Sequence, residues 1–503
     1  MNVSASPLDS PPKAGRRDIV PLPGRLAPFA IGVPLRRLVD VVVAAGGQPI
    51  AVGGAVRDHL LGLAPKDVDV EVSGLGLADL EACLLGAGFT VHAVGRSFGV
   101  LKVDVVVVAD DRTWSCREVI DVALPRTESK LGRGHKGFVV HSDPDLPFAA
   151  AAARRDFTLN ALGVDLVTGV ILDPWGGIAD LEAGLLRHVS DAFDEDPLRV
   201  LRAAQFVARF GLDVDDSTLL RCQALGPELL TLPTERVGEE LKKLLVKGVW
   251  PSLGLAFLRR AGVVDVLFPE LHALIGCEQE PEWHPEGDVW THTLMVCDEG
   301  ARLCRESGVN DHEIFTIALA ALCHDLGKPG TTAVQGGRIR SRDHEAQGEA
   351  PTRRLLQRLG IAHNVVDDVV ALVRDHLKPF QLWREREVLQ DGAIRRLALR
   401  VPIERLVCVA RADHFGRTTP EALLRHDPAG VWLLERARAL AVKDAAPRPL
   451  LQGRDLVSRG LRPGKEFGAV LAAAFEAQLD GLFDERVGAE AWLDARLGGT
   501  TNP

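Results

Sequence analysis

From Gln48 to about residue 125, apolar residues come in short β-branched runs broken by polar and glycine positions. QPIAVGG, KDVDVEV, GVLKVDVVVVAD and REVIDVAL read as strands. RRLVDVVVAAGGQ (36–48) and ADLEACLLGAGF (78–89) instead repeat apolar residues at three and four, and read as helices, the second ending at Gly86 or Gly88. This alternation predicts a small domain with one sheet over about 35–165. From about residue 176 the period changes for good. PLRVLRAAQFVARFGL (197–212), VGEELKKLLVKG (237–248) and EIFTIALAALCHDLGK (313–328) are helical, and strand signals nearly vanish. The expected fold class is α+β: a mixed sheet with helices, then mostly α-helical domains. The pattern divides into a Pro-rich disordered tail over 1–30, a sheet domain over 31–175, and helical domains over 176–270 and 271–440. A helical C-terminal segment over 441–503 follows the Pro-rich VKDAAPRPLLQG (442–453).

Composition narrows the setting. The 503 residues are 46% hydrophobic and 25% charged, ordinary for a globular chain of about three or four domains. No apolar run approaches a membrane span, so no membrane partner is expected. The eight cysteines stand singly, at 83, 116, 222, 277, 297, 304, 323 and 408, which favours neither a zinc ribbon nor a disulfide framework and points to the cytoplasm. The net charge of −10 means that a nucleic-acid partner needs a local basic surface. Tyrosine is absent, so base stacking must use Phe, Trp, His or Arg.

The densest chemistry lies in AVGGAVRDHLLGLAPKDVDVEVSG (51–74). Gly53 and Gly54 can bring bare backbone N–H groups against a phosphate, with Arg57 close by. Asp67 and Asp69 alternate with Val68 and Val70, so on a strand they share a face and offer a hard divalent cation two carboxylates. The combination suggests metal-dependent phosphoryl transfer. A glycine hairpin before a solvated strand edge is the plainer reading of D-x-D alone.

GGAVRDHLLG with KDVDVEV, ARRDFTLNALGVD (153–165), DPWGGIADLEAGLLRHV (173–189) and DEDPLRVLRAAQFVARFGL (194–212) resemble the class II tRNA nucleotidyltransferase and poly(A) polymerase family. EPEWHPEGDVWTHTLMV (280–296) with CHDLGK (323–328) resembles the HD phosphohydrolase domain appended to the long bacterial CCA-adding enzymes. The resemblance runs from about residue 35 to about 495. It implies a polymerase-β-like nucleotidyltransferase head, a helical neck that binds nucleotide and RNA, and an HD domain. It also implies addition of CCA to tRNA from CTP and ATP.

By this resemblance Asp67 and Asp69 hold Mg²⁺, while Gly53, Gly54 and Arg57 contact the triphosphate, with Asp58 orienting Arg57. A third carboxylate, Asp104 or Asp121, is weighed and read as structural. Arg154, Arg155 and Asp156 are read as substrate contacts against the alternative of a basic pair capping a strand. Glu195, Asp196 and Arg199 match the E-D-x-x-R motif. On a helix Asp196 and Arg199 share a face, where carboxylate and guanidinium can read the edge of cytosine or adenine and reject uracil and guanine. The plain alternative is an N-cap with Pro197 at N1 and a helix salt bridge. Arg202 and Arg209 continue that face toward phosphates. Gln205 departs from the arginine usual there. The Gly-rich basic segment 126–138 resembles the family's mobile loop.

His292, His324, Asp325 and Asp413 match the H…HD…D set, with His344 and His376 as possible extra ligands. Imidazole with carboxylate suits a transition metal such as Ni²⁺, Mn²⁺ or Co²⁺. In related enzymes such a domain hydrolyses 2′,3′-cyclic phosphates and 2′-phosphates. Arg236, Lys242 and Lys243 are candidates for the tRNA acceptor stem. A poly(A) or A-adding enzyme, and an HD phosphohydrolase with a non-catalytic RNA-binding head, remain the alternatives.

Overall fold

A computed structural model describes residues 29–65, 67–95, 99–108, 115–130, 138–443 and 445–498. The expected tail falls almost wholly outside these residues, as does the tip of the basic loop at 131–137. The chain divides into two compact units, 1–267 and 268–503.

The first unit is built on a seven-stranded mixed sheet. Its strands are β1 (Gln48–Val52), β2 (Asp69–Ser73), β3 (Thr90–Gly95), β4 (Val100–Val108), β5 (Ser115–Ala123), β8 (Gly163–Asp165) and β9 (Ile171–Leu172), in the order β3-β4-β5-β2-β1-β8-β9. Between β5 and β8 in the chain, β6 (Arg126–Lys130) and β7 (Phe138–Ser142) form a separate hairpin. Helices α1 (Val33–Ala44), α2 (Gly54–Leu60) and α3 (Leu77–Gly86) accompany the sheet. In β2 the alternation is explicit: Val70 and Val72 are buried, and Asp69 and Glu71 take the other face. β2 runs antiparallel to β1 and parallel to β5, with Val70 opposite Val122, so Asp69 neighbours Asp121.

Beyond the sheet the first unit is mainly helical, apart from a short parallel pairing of Leu185–Leu186 with Asp213–Val214. Helix α4 (Leu198–Phe210) packs against α5 (Thr234–Lys247) and α6 (Pro251–Arg260). Leu201, Ala204, Ala208 and Phe210 are buried in it, and Gly211 ends it in the left-handed conformation at φ +68°. Gln205 is buried too, 5% exposed, so a charged side chain there would have to sit inside the helix packing.

The second unit is a helical assembly. Helices α7 (Val289–Ser307), α8 (Asp311–Cys323), α9 (His363–Asp375) and α10 (Ile403–Phe415) pack on one another around a polar centre. Short helices over 453–457, 465–479 and 486–498 enclose a small core of Leu451, Leu456, Phe483 and Leu493. One hairpin in this unit stands apart from the mostly helical expectation. Strands β10 (Thr332–Gln335) and β11 (Arg338–Ser341) form an antiparallel hairpin whose turn, Gly336 and Gly337, has φ +61° and +77°. Among the described residues no helix is long and apolar enough to cross a membrane.

Candidate functional site

The turn after β1 brings the first group together. Gly53 has φ +72°, and a Cβ built there would lie 2.7 Å from Arg155 Nη1. Glycine is therefore needed twice, for the backbone conformation and to admit the guanidinium. Arg155 reaches the Asn160 carbonyl at 3.3 Å and Glu71 at 3.9 Å. Asp67 lies just before β2 and Asp69 begins it, both exposed. Desolvation, then the charges of Asp121 and Asp67, raise the Asp69 carboxyl above its ordinary value, with Arg155 opposing. Three carboxylates thus lie near enough for the charges of two to act on Asp69, a repulsion that a bound cation would relieve. Asp121 is the third, at 3.2 Å from Lys102. Asp104 is instead closed off by Arg117 at 2.5 Å.

Arg57 is turned inward, unlike the triphosphate contact expected of it. It is 4% exposed, bonds Asp58 Oδ1 through Nε and Nη2 (2.8 and 2.6 Å), and donates Nη1 to Asn160 Oδ1 at 2.5 Å. The rings of Phe206 and Phe210 lie 5.2 and 4.9 Å from its guanidinium carbon. Arg209 bonds the other oxygen of Asp58 at 3.1 Å. Asp156 is similarly taken up, by Arg202 (2.6 Å), Asn160 Nδ2 (2.9 Å) and the Phe157 N–H (2.8 Å). Burial opposes its charge, but Arg202 and these bonds hold its carboxyl below the usual range. Arg57, Asp58, Asn160, Asp156, Arg202 and Arg209 form one network, buried at Arg57, Asn160 and Asp156 and half-buried at the rest, joining the β1 turn, the RRDFTLN segment and α4.

The E-D-x-x-R residues are half-buried at the start of α4. Asp196 Oδ1 accepts from the Leu198 N–H at 3.1 Å, so it caps the helix, and Oδ2 meets Arg236 at 3.3 Å. Arg199 forms no pair with Asp196 among the described contacts. It donates to the carbonyls of Ala192 (2.5 Å) and Arg154 (2.6 Å). Both groups are fixed in direction and keep spare hydrogen-bonding capacity. Arg154 thus lies between Arg199 and the Arg155–Gly53 contact. Of the expected RNA contacts, Arg236 is tied to Asp196 and Lys243 to Glu240 at 2.7 Å.

The second unit assembles its group from four helix segments. His292 lies on α7, His324 and Asp325 follow α8, His376 follows α9, and Asp413 lies on α10. His344 follows the β10–β11 hairpin. All six are buried. His292 Nε2 is 3.1 Å from Asp413 Oδ1 and 3.9 Å from Asp325 Oδ2. His324 and His344 offer Nε2 to the two oxygens of Asp325 at 3.1 and 3.3 Å. Donor atoms of His292, His324 and Asp325 fall within 4.8 Å of one another, as do those of Asp325, His344 and His376. His324 Nε2 and both Asp325 oxygens are buried without a well-formed hydrogen bond, although Lys328 is 2.7 Å from Asp325. Converging buried lone pairs of this kind fit divalent metal binding, with Asp325 common to both sets.

The second atoms of the rings explain their aim. Nδ1 of His324, His344 and His376 each bonds the carbonyl three residues earlier, on Ala321, Ser341 and Val373. Nε2 is left facing the centre. His292 Nδ1 meets Glu286 Oε1 at 2.9 Å, and the same oxygen bonds His284 at 2.8 Å. Glu286 was passed over in the sequence, although it sits in the quoted HPEG segment. Burial, then the neighbouring imidazoles, push His376 down to about 3, which keeps its ring neutral.

Comparison with known proteins bears on both groups. The Poly A polymerase head domain matches residues 50–187, the probable RNA- and SrmB-binding site of polymerase A matches 211–275, and the HD domain matches 289–418. The multifunctional CCA protein of Xanthomonas campestris pv. campestris (strain B100) is 37% identical over 432 residues, covering 84% of this chain and 96% of its own. The chain belongs to the CCA-adding enzymes of the poly(A) polymerase family that carry an HD domain. Another member, the multifunctional CCA protein of Laribacter hongkongensis (strain HLHK9), is 39% identical over 374 residues, 73% of this chain and 84% of its own. The fold agrees with a solved CCA-adding enzyme, that of Bacillus stearothermophilus in complex with CTP. Its TM-score is 0.62 at 22% identity, covering 93% of this chain and 98% of that one. For a CCA-adding enzyme of this family, the D-x-D face falls within the head match and the histidine–aspartate set within the HD match. Both matched domain types imply divalent metal use.

Proposed function

We propose that the first unit adds C, C and A to the 3′ end of tRNA from CTP and ATP, with the protein itself, rather than a nucleic acid, selecting the base. The observation that carries this reading is the link through Arg154 and Arg155 between the three-carboxylate group at Gly53 and Arg199 of the E-D-x-x-R motif. Asp67 and Asp69, with Asp121 beside them, would hold Mg²⁺. Gly53, Gly54 and Arg155 border the position for the triphosphate. Asp196 accepts from the exocyclic amine of cytosine or adenine, and Arg199 donates to the ring. Uracil or guanine would set a carbonyl against the carboxylate and leave a buried group unpaired. Glu195 and Arg154 line the same region. Arg57, Asp156 and Arg202 are positioning residues that hold this half-site to α4. The tRNA 3′-hydroxyl attacks the α-phosphate, the bond to the β-phosphate oxygen breaks, and pyrophosphate leaves. Shape and phosphate contacts would hold the acceptor stem.

We further propose that the second unit is a phosphohydrolase for 2′,3′-cyclic and 2′-phosphates at damaged tRNA ends. His292, His324, Asp325 and Asp413 would hold a transition metal such as Ni²⁺, Mn²⁺ or Co²⁺, with His344 and His376 extending the set around Asp325. In both units a bound cation would supply Lewis acidity at the phosphoryl oxygens and a more acidic nucleophile.

The test is incubation with tRNA lacking its 3′ CCA and labelled CTP or ATP. Incorporation of two C and one A is expected. No incorporation of C overturns the reading, and long A tails would favour a poly(A) polymerase.

A further inference from the structure

The cavity at the histidine–aspartate set has a wall that the hydrolytic chemistry leaves unused. It encloses about 560 Å³, a size that suits a small ligand. Asp325, His344, His376 and Asp413 line it together with Trp283, Phe380, Trp383, Arg340, Arg342 and Arg417. Two of these side chains have capacity that the protein does not fill.

The first is Trp283. It is 48% exposed, and no ring contact or side-chain hydrogen bond engages its indole among the described residues. Trp383 differs, since Trp432 lies 6.0 Å from it edge-on and Arg386 3.9 Å above its ring. The Trp283 segment is also held in place. Glu280 accepts from the Ile339 N–H at 2.9 Å and Glu282 pairs with Arg338 at 2.9 Å, so the β10–β11 hairpin holds the residues just before the tryptophan. His284, the next residue, is bonded to Glu286. An indole braced in place, half in water, and lining a cavity presents a ready stacking face.

The second is Arg417. Its Nη2 holds both oxygens of Asp413 (2.9 and 3.0 Å), while its Nε is shielded from solvent and has no partner. The nearby ammonium of Lys328 is already taken by Asp325 and by Gln279 at 2.6 Å. A stacking face and a guanidinium lining one cavity fit a ligand with an aromatic ring at one end and an anion at the other.

We propose that this wall is a nucleoside subsite. Trp283 stacks on the base of the nucleotide whose phosphate lies at the histidine–aspartate set, and Arg417 donates to that phosphate. Every base has a π-face, so the subsite accepts all four. The inference rests on the phosphohydrolase reading for the identity of the phosphoester, and the test separates the two.

The full chain loaded with Mn²⁺ or Ni²⁺ is given adenosine 2′,3′-cyclic phosphate or glycerol 1,2-cyclic phosphate, which lacks a base. Equilibrium binding of adenosine 2′-monophosphate is measured in parallel. For Trp283→Ala the ratio of kcat/KM for the adenosine over the glycerol substrate should fall about tenfold, carried by KM, and Kd for the monophosphate should rise about tenfold. Trp283→Phe should restore most of both. If the ratio and Kd do not move, the subsite is wrong. If wild type cleaves neither substrate but Trp283→Ala still weakens binding tenfold, the subsite stands and the phosphohydrolase reading falls.

Discussion

Arg57→Met keeps much of the aliphatic volume and removes the guanidinium that lies against Phe206 and Phe210 and bonds Asp58 and Asn160. Removing one partner of a buried pair typically costs about 3–5 kcal/mol, because the other is left uncompensated. Here the remaining partners are partly satisfied. Asp58 keeps Arg209 at 3.1 Å, and Asn160 keeps Asp156 at 2.9 Å. The lower end, about 3 kcal/mol, is therefore the expected loss. For a unit of this size that is about 6–12 °C in melting temperature. Differential scanning calorimetry of the full chain should show one transition displaced by that amount. At 25 °C, KM for CTP and ATP should change less than threefold, because the guanidinium faces the protein. A melting profile matching wild type, together with a KM for CTP raised tenfold or more, would refute this assignment and return Arg57 to the triphosphate.

Asp67→Ala should abolish nucleotide addition to tRNA while cyclic-phosphate hydrolysis persists, and His324→Ala should do the reverse; assays of both activities on each variant check it, and joint loss in either would contradict two separate sites. Asp121→Asn should lower kcat for CTP incorporation well below that of Asp104→Asn, because only Asp121 adjoins Asp69 (Asp104 is closed off by Arg117). Asp156→Asn should destabilise at pH 7 by about 1.5–3 kcal/mol through loss of the charged bond to Arg202. The Asp156 carboxyl is depressed in the fold, so its stabilisation is present above about pH 4 and is lost as the pH falls through the folded value. Melting curves of wild type and variant should therefore converge in acid, and a gap that widened there would contradict the assignment.

Much of the head was legible because its signals are local. Asp69 takes the face of β2 that the two-residue period gives it, although Asp67 falls just before the strand, and Gly53 announces a turn. The histidine–aspartate set was legible as a motif, since H…HD…D keeps its residue types whatever the intervening helices do. The direction of the arginines was not legible. Arg57 finds Asn160 more than a hundred residues away, and Arg202 finds Asp156, so which way each points is a tertiary fact. Choosing Asp121 over Asp104 needed the parallel pairing of β2 with β5, and no run of residues encodes a strand neighbour. The β10–β11 hairpin escaped notice because its strands are largely exposed, Val334 by 72%, and so lack hydrophobic alternation. Its Gly336-Gly337 turn was the available clue.

Nδ1 of His324 and of His376 bonds a carbonyl of the last turn of α8 and of α9. Each ring thereby finishes its own helix and faces Nε2 to the centre, so the orientational entropy of ligation is surrendered during folding rather than when an ion arrives. The apo protein should already hold these two rings in a single tautomer. Replacing either histidine unties a helix end as well as removing a ligand, and glutamine or asparagine, which can still donate to that carbonyl, separates those two losses better than alanine.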